Sequence, residues 1–274
     1  MNQKRYAIVT GAASGLGRAL SLELARGGWH IALADLNDSG SQETLSLVRA
    51  AGGDGQVEHL DVTSVDQWRA LVEKLRAAWP TLDLLVNNAG VGVGGNVGEL
   101  SLEDWRWIMD INLWGGIYGC HTTVDWMRKN PSGAHIVNIA SMAAIVCAPG
   151  MAPYNVTKAG MVALTETLFG ELKADNIGVT VVCPTFFQTN IITSGRFSSP
   201  GQRKIADALM ATSKMSAEDV ARQIVVAIQR KQVYVLAPLQ ARLFWRLKRL
   251  MPRTFLKIVS RGYKRRLAMG DDAR

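Results

Sequence analysis

Short, apolar strand-like runs alternate with longer stretches of helical period along most of this chain, and that alternation decides the fold class. The runs read as strands at 5–10, 30–35, 56–60, 83–87, 134–140 and 178–183, with a further short one at 232–237. Helical stretches fall between them at 15–27, 39–51, 64–79, 101–129, 152–175 and 216–229. A strand with one wet face alternates apolar and polar residues; most of these runs are continuous rather than alternating in their apolar residues, as strands buried on both faces are. Strands of that kind joined by helical crossovers imply an α/β fold with a doubly wound parallel sheet. Residues 1–238 read as one α/β domain, and 239–274 as a basic, amphipathic helical extension. Residues 190–214, rich in Ser, Gly, Lys and Met, read as a mobile excursion above the sheet, the kind of loop that carries or covers a site.

The first crossover carries a motif with a mechanism. Thr10-Gly-Ala-Ala-Ser-Gly-Leu-Gly17 ends the first strand and opens the first helix. Gly11, Gly15 and Gly17 permit a tight turn, close backbone approach and close helix–strand contact, which is the Rossmann arrangement. The helix then presents free N–H groups and its positive dipole end to a pyrophosphate, with Ser14 and Leu16 beside it. Asp35 closes the second strand. A carboxylate there accepts hydrogen bonds from ribose hydroxyls and repels a 2′-phosphate. Neither Ser14 nor Leu36 is basic, so NAD is favoured over NADP, with Arg18 as the one nearby cation that could turn toward a phosphate.

A second constellation handles protons. Tyr154 and Lys158 lie one helical turn apart on a shared face. Ser141 follows the fifth apolar run, at a strand's C-terminal end. A hydroxyl, a phenol and an ammonium can therefore converge. An ordinary phenol, with a pKa near ~10, is a poor base at neutral pH. A neighbouring ammonium and an oxidised nicotinamide both favour the phenolate, which can then exchange a proton with an alcohol oxygen.

Together these pieces make the chain resemble the short-chain dehydrogenase/reductase family over residues 5–235. The matching residues are the glycine motif, Asp61-Val62, Asn87-Asn-Ala-Gly90, Asn112, Ser141, Tyr154-xxx-Lys158, and Pro184 with Thr189. The resemblance implies that Asp61 holds the adenine amine with Val62 beside the ring. It implies that Asn88, Ala89 and Gly90 line the cofactor, while Asn87 locks strands together. Tyr154 and Lys158 would border the cofactor as well as the substrate. Phe187 matches a position whose backbone meets the nicotinamide carboxamide, and Thr189 a side chain nearby. Asn112 resembles a residue whose carbonyl, at a helix kink, holds a water leading to Lys158. Two departures stand out: Thr185 where the family often has Gly, and Asn155-Val-Thr157 between Tyr and Lys. The family also implies a homodimer or homotetramer, for which 101–129 and 152–175, the first crowded with Trp105, Trp107, Trp114 and Trp126, are candidate contact helices.

The expected substrate-facing residues are Ser141, Met142, Ala143, Met151, Tyr154 and Phe186. With Ile145, Val146, Ile191, Ile192 and Phe197 they form an apolar wall, suited to a hydrophobic alcohol or ketone. Hydride transfer between such a compound and NAD is the leading reading. An NADPH-linked 3-oxoacyl thioester reductase is the alternative, and a non-catalytic dinucleotide sensor or membrane-docked scaffold is a second.

Charge is uneven. Residues 239–274 hold 11 Lys and Arg against two Asp, whereas the rest holds 20 basic and 21 acidic side chains. Residues 239–251 and 252–266 read as two amphipathic helices broken at Pro252. They can cover the site, pack on a second subunit or lie on an anionic membrane. Charge confined to that segment, with no binding motif, argues against nucleic acid. Cys120, Cys147 and Cys183 are scattered, the four His lack metal-ligand spacing, and the N-terminal residues lead straight into a strand without a secretory pattern. These features predict a cytoplasmic protein with reduced thiols and no metal, peripheral to a membrane at most.

Overall fold

The computed structural model describes residues 4–185, 187, 191–211, 215–238 and 241–271, with residues 266–271 described by backbone alone. In chain order the first half is β1 (Arg5–Thr10), α1 (Gly15–Arg26), β2 (Trp29–Asp35), α2 (Asp38–Ala50), β3 (Asp54–His59), α3 (Val65–Ala78) and β4 (Leu84–Asn87). Then come β5 (Val93–Gly94), α4 (Leu102–Met109), a π-helical turn (Asp110–Trp114), α5 (Gly115–Met127), β6 (Ala134–Ile139), α6 (Ala143–Val146) and α7 (Ala152–Glu171). The remainder is β7 (Ile177–Pro184), β8 (Arg196–Phe197), α8 (Pro200–Ala211), α9 (Ala217–Gln229), β9 (Tyr234–Ala237), α10 (Ala241–Leu250) and α11 (Pro252–Asp271).

Seven strands pair in parallel in the order β3-β2-β1-β4-β6-β7-β9. The order reverses direction between β1 and β4, so a crevice opens above their C-terminal ends. Strand alternation feeds two cores. Ala7 and Val9 of β1 face α1 and α9, whereas Ile8 between them faces α3 and α5 with Trp68 and Leu75. The central strands are buried on both faces, which explains why they read as largely continuous apolar runs.

Two polar features inside the core matter for position. Asn87 Nδ2 donates to Asn138 Oδ1 (2.8 Å), and Asn138 Nδ2 donates to Thr165 Oγ1 (2.9 Å). This buried chain ties β4, β6 and α7 together below the crevice. His135 on β6 sits beside Thr180 Oγ1 at 2.7 Å. Burial, with a smaller contribution from the Lys231 charge, pushes its imidazole down to about 4. The unfolded chain therefore takes up a proton near pH 6.5 that the folded one refuses until about pH 4. Stability should fall as pH drops through that window, by about 3 kcal/mol from this residue alone. Urea melts of His135→Gln against the wild type should converge as pH falls from 7 to 4; parallel curves would remove the assignment.

The structure refines the sequence expectation in two places. The 101–129 helical stretch is divided by a π-turn at Asp110–Trp114, where the resemblance implies a kink at Asn112, just before Gly115 and Gly116 pack against Val62 and Met161. The 190–214 excursion contains ordered elements. β8 pairs with β5, and α8 follows with Ile205, Ala206, Leu209 and Met210 along one side. The two expected helices of the basic segment form α10 and α11, and they break at Pro252.

Candidate active site

The glycine turn is built by exclusion of side chains. Gly11 adopts a φ of +63°, and a Cβ there would lie 2.8 Å from Asn88 Nδ2. A Cβ on Gly17 would lie 2.0 Å from the Gly11 carbonyl oxygen. Thr10 Oγ1 accepts the N–H groups of Asn88 (2.9 Å) and Ala89 (3.0 Å), and Asn88 Nδ2 donates to the Thr10 and Gly11 carbonyls. The loop after β4 is thereby fastened to the loop after β1. Ser14 starts α1 in extended backbone and makes no capping bond with its side chain, unlike Asn37, Ser64 and Ser216 on α2, α3 and α9. The N-terminal N–H groups of α1 are left for an anion.

Asp35 faces the same crevice. One carboxylate oxygen accepts the Ala13 N–H (3.0 Å) and the other the Asn37 N–H (2.9 Å), which fixes its plane. Arg18 is committed elsewhere, to Ala13 O (2.7 Å), Thr44 Oγ1 (3.0 Å) and Glu43 Oε2 (2.7 Å). Asp61 Oδ1 accepts both the N–H and hydroxyl of Thr63. A single cavity of about 1080 Å³ runs past these groups. Gly11, Ser14, Gly15, Leu16, Asp35 and Leu36 line one end, followed by Asp61, Val62, Asn88, Ala89 and Gly90.

The same cavity reaches Ser141, Tyr154 and Lys158. Ser141 follows β6 and takes the Ala143 N–H on its Oγ (3.1 Å), so its hydroxyl is oriented. Tyr154 and Lys158 stand one turn apart on α7. The Lys158 ammonium donates to Ile139 O (2.8 Å) and lies 5.8 Å from the centre of the Tyr154 ring. Burial pushes the Tyr154 phenol up to about 12, against a hydrogen bond with Ser141 that pulls it down. Burial pushes Lys158 down to about 8. Among the protein groups alone, burial sets the direction for both partners. What the protein provides is a protonated phenol held against a hydroxyl, beside an amine that titrates near neutral pH.

Asn112 lies on the π-turn, buried just behind the cavity wall. Its Oδ1 accepts the Val91 N–H (2.8 Å) and its Nδ2 donates to Val91 O (2.9 Å). A methyl on Gly90 would touch both Asn112 Oδ1 (3.2 Å) and Lys158 Nζ (3.4 Å), so the two side chains meet at that glycine. Beside Asn112 and Ile139 is a pocket of about 10 Å³, the size of one water. Gly17 is likewise behind the wall.

Pro184, Thr185 and Phe187 border the cavity beyond Lys158. Thr185 donates its N–H to Ala237 O (2.8 Å) and needs no left-handed backbone, so the missing glycine leaves the turn intact. Met142, Ala143, Val146, Met151, Ile191, Ile192 and Phe197 form the expected apolar wall. Ile145 does not: it packs into the core with Ala241 and Leu236. Phe186 and Thr189 lie outside the described residues. The rest of the wall comes from α8 (Ile205, Leu209, Met210), α10 (Phe244, Leu247) and α11 (Phe255, Ile258, Val259, Tyr263), segments the sequence offers as covers of the site without indicating which residues line it. The apolar spacing of Ile205, Ala206, Leu209 and Met210 after Pro200 was the available signal for α8. Of the four tryptophans, only Trp114 is openly exposed; Trp126 is core, and Trp105 and Trp107 pack on Ile108 and Val93.

Comparison with known proteins agrees with this geometry. The family model for short chain dehydrogenase matches residues 5–197. A short chain dehydrogenase/reductase from Burkholderia phymatum, solved in complex with NAD, superposes with a TM-score of 0.85 at 31% identity, covering 90% of this chain and 93% of that one. "Probable oxidoreductase EphD" of Mycobacterium tuberculosis is 31% identical over 253 residues, 89% of this chain but 43% of that protein, so the chain spans less than half of that relative. The 3-oxoacyl-[acyl-carrier-protein] reductase FabG of Staphylococcus aureus is 33% identical over 196 residues, 70% of this chain and 78% of the enzyme. The chain belongs to the short-chain dehydrogenase/reductase family.

Proposed function

We propose that the protein is an NAD-dependent oxidoreductase that interconverts a hydrophobic secondary alcohol and its ketone. The observation that carries this reading is the sharing of one cavity by the glycine turn, Asp35 and the Ser141–Tyr154–Lys158 group. The open α1 N-terminus and the side-chain-free cradle at Gly11 fit a dinucleotide pyrophosphate, with Asp35 on its ribose and Asp61 and Val62 on its adenine. Bound there, the nicotinamide supplies or accepts the hydride. Tyr154 exchanges the proton at its phenolic oxygen, and a phenol held protonated to about 12 is in the form that donates to a ketone. Ser141 Oγ holds the reacting oxygen next to that proton. Lys158, near 8, restores the phenol and borders the ribose. Asn112 holds the Val91 backbone at the wall and stands where a water would connect to Lys158. The apolar lining excludes water and suits a bulky hydrophobic substrate. Homo-oligomerisation is supported by exposed apolar residues, Trp114 on the π-turn and Val156 and Phe169 on α7. Among the described residues no helix is long and apolar enough to span a membrane.

Asp35 makes the cofactor choice testable. Its carboxylate is fixed at the ribose end, and Arg18 is tied to Glu43 rather than free for a 2′-phosphate. Wild-type protein assayed on a panel of hydrophobic alcohols and ketones should prefer NAD(H) over NADP(H), and Asp35→Ser should reduce that preference about 100-fold. Equal use of both cofactors by the wild type would overturn the assignment. The similarity to FabG supports one second reading, an NADPH-linked reductase of 3-oxoacyl thioesters. It requires turnover of acyl thioesters with NADPH in the same panel.

A further inference from the structure

α10 and α11 close one side of the cavity and at the same time carry its lining out to the surface. Phe255 is fully buried against the body, and Tyr263 reaches Gln202 of α8 with its hydroxyl (3.0 Å). Lys248 turns inward, donating to Ile145 O (2.5 Å) and lying 3.3 Å from Cys147 Sγ. The segment is therefore seated, and its outer face is fixed relative to the cavity. Phe244 and Ile258 line the cavity and are also half exposed. Around them Leu243 (68% exposed), Leu250 (80%), Met251 and Leu256 stand in solvent. Fourteen large apolar side chains are exposed among the described residues, and six of them lie within 243–258, so this is a patch rather than scatter.

The charge around the patch has one sign. Arg242, Arg246, Arg249, Arg253, Lys257, Arg261, Lys264 and Arg265 are exposed, and no Asp or Glu occurs between 241 and 270. Among the described residues none of these cations forms an ion pair. Next to it, α8 adds exposed Arg203 and Lys204 against the single Asp207. A second copy of this chain would bring the same cations face to face. A protein or carrier partner would have to match apolar and cationic groups interleaved over two helices. An anionic bilayer offers both complements at once, phosphate charge at its surface and hydrocarbon beneath.

We propose that α10 and α11 dock the protein on an anionic lipid surface, with the half-exposed lining residues Phe244 and Ile258 facing the lipid. A lipophilic substrate then passes from bilayer to cavity without crossing water. The docking stands apart from the reaction; only that route rests on the function proposed above.

Flotation with phosphatidylcholine vesicles, with and without phosphatidylglycerol, tests it on the full chain. Binding should be at least about 10-fold stronger to the anionic vesicles and should weaken as salt is raised. Leu250→Asp and Arg246→Glu, both at exposed positions, should each weaken it several-fold while leaving NADH binding unchanged. Tyr154→Phe should bind vesicles like the wild type, so a failed oxidoreductase reading and a failed docking are distinguishable. Failure to float with either vesicle, equal binding to both, or no effect of Leu250→Asp would overturn the proposal. So would a fall in particle size on Leu250→Asp in light scattering, since a second copy would then be the occupant.

Discussion

Tyr154→Phe is expected to lower turnover about 1000-fold while leaving NADH affinity within about threefold of the wild type, because a positioned acid–base group contributes on the order of 100- to 10,000-fold. The substitution is almost isosteric. The Tyr154 ring packs beside Val93 and Ile108 at the cavity wall, and phenylalanine keeps those contacts. What it removes is one oxygen, the atom hydrogen-bonded with Ser141 and held protonated by burial. No neighbouring group replaces it: Lys158 is directed at Ile139 O, and the Ser141 hydroxyl already accepts the Ala143 N–H. Stopped-flow measurement of hydride transfer, with NADH titrated by fluorescence on the same sample, separates chemistry from binding. Turnover within about tenfold of the wild type would show that another group moves the proton.

Those residues were legible because each belongs to an element that local sequence dictates. Ser141 ends an apolar strand, and Tyr154 and Lys158 share a helix face, so strand and helix periodicity alone brings them to the sheet's C-terminal edge. The pKa values were not legible in the same way. Proximity of Lys158 suggests an acidified phenol, but burial acts on both groups in the opposite sense, and burial is a property of the whole fold. The π-turn at Asp110–Trp114 was legible only through the family resemblance, which implies a kink at Asn112; the residues themselves have an ordinary helical pattern. The cavity's outer wall was hidden because α8, α10 and α11 take their positions from one another. Their amphipathic stripes announce helices, not the neighbours those stripes meet.

Gly17→Ala should be the most damaging added methyl group among the described glycines. The added Cβ would lie 2.0 Å from the Gly11 carbonyl oxygen and 2.7 Å from Asn88 Nδ2. Neither can retreat. The Gly11 carbonyl belongs to a left-handed residue at the turn's apex and already accepts from Asn88, whose amide also donates to Thr10 O at 2.8 Å. Relief requires α1 to move off β1, away from the core built on Leu16, Leu20 and Val9. We expect a loss of about 4 kcal/mol and a melting temperature lower by about 10 °C. NADH affinity should fall at least about 10-fold, because the N–H groups that face the pyrophosphate move with the helix. Gly15→Ala provides the comparison. It has a φ of +53° but nothing within 4 Å of its Cβ, so it meets backbone strain without collision and should cost about 1 kcal/mol. If the two variants melted together, the steric account of the turn would fail, and the glycines would be there for backbone freedom alone.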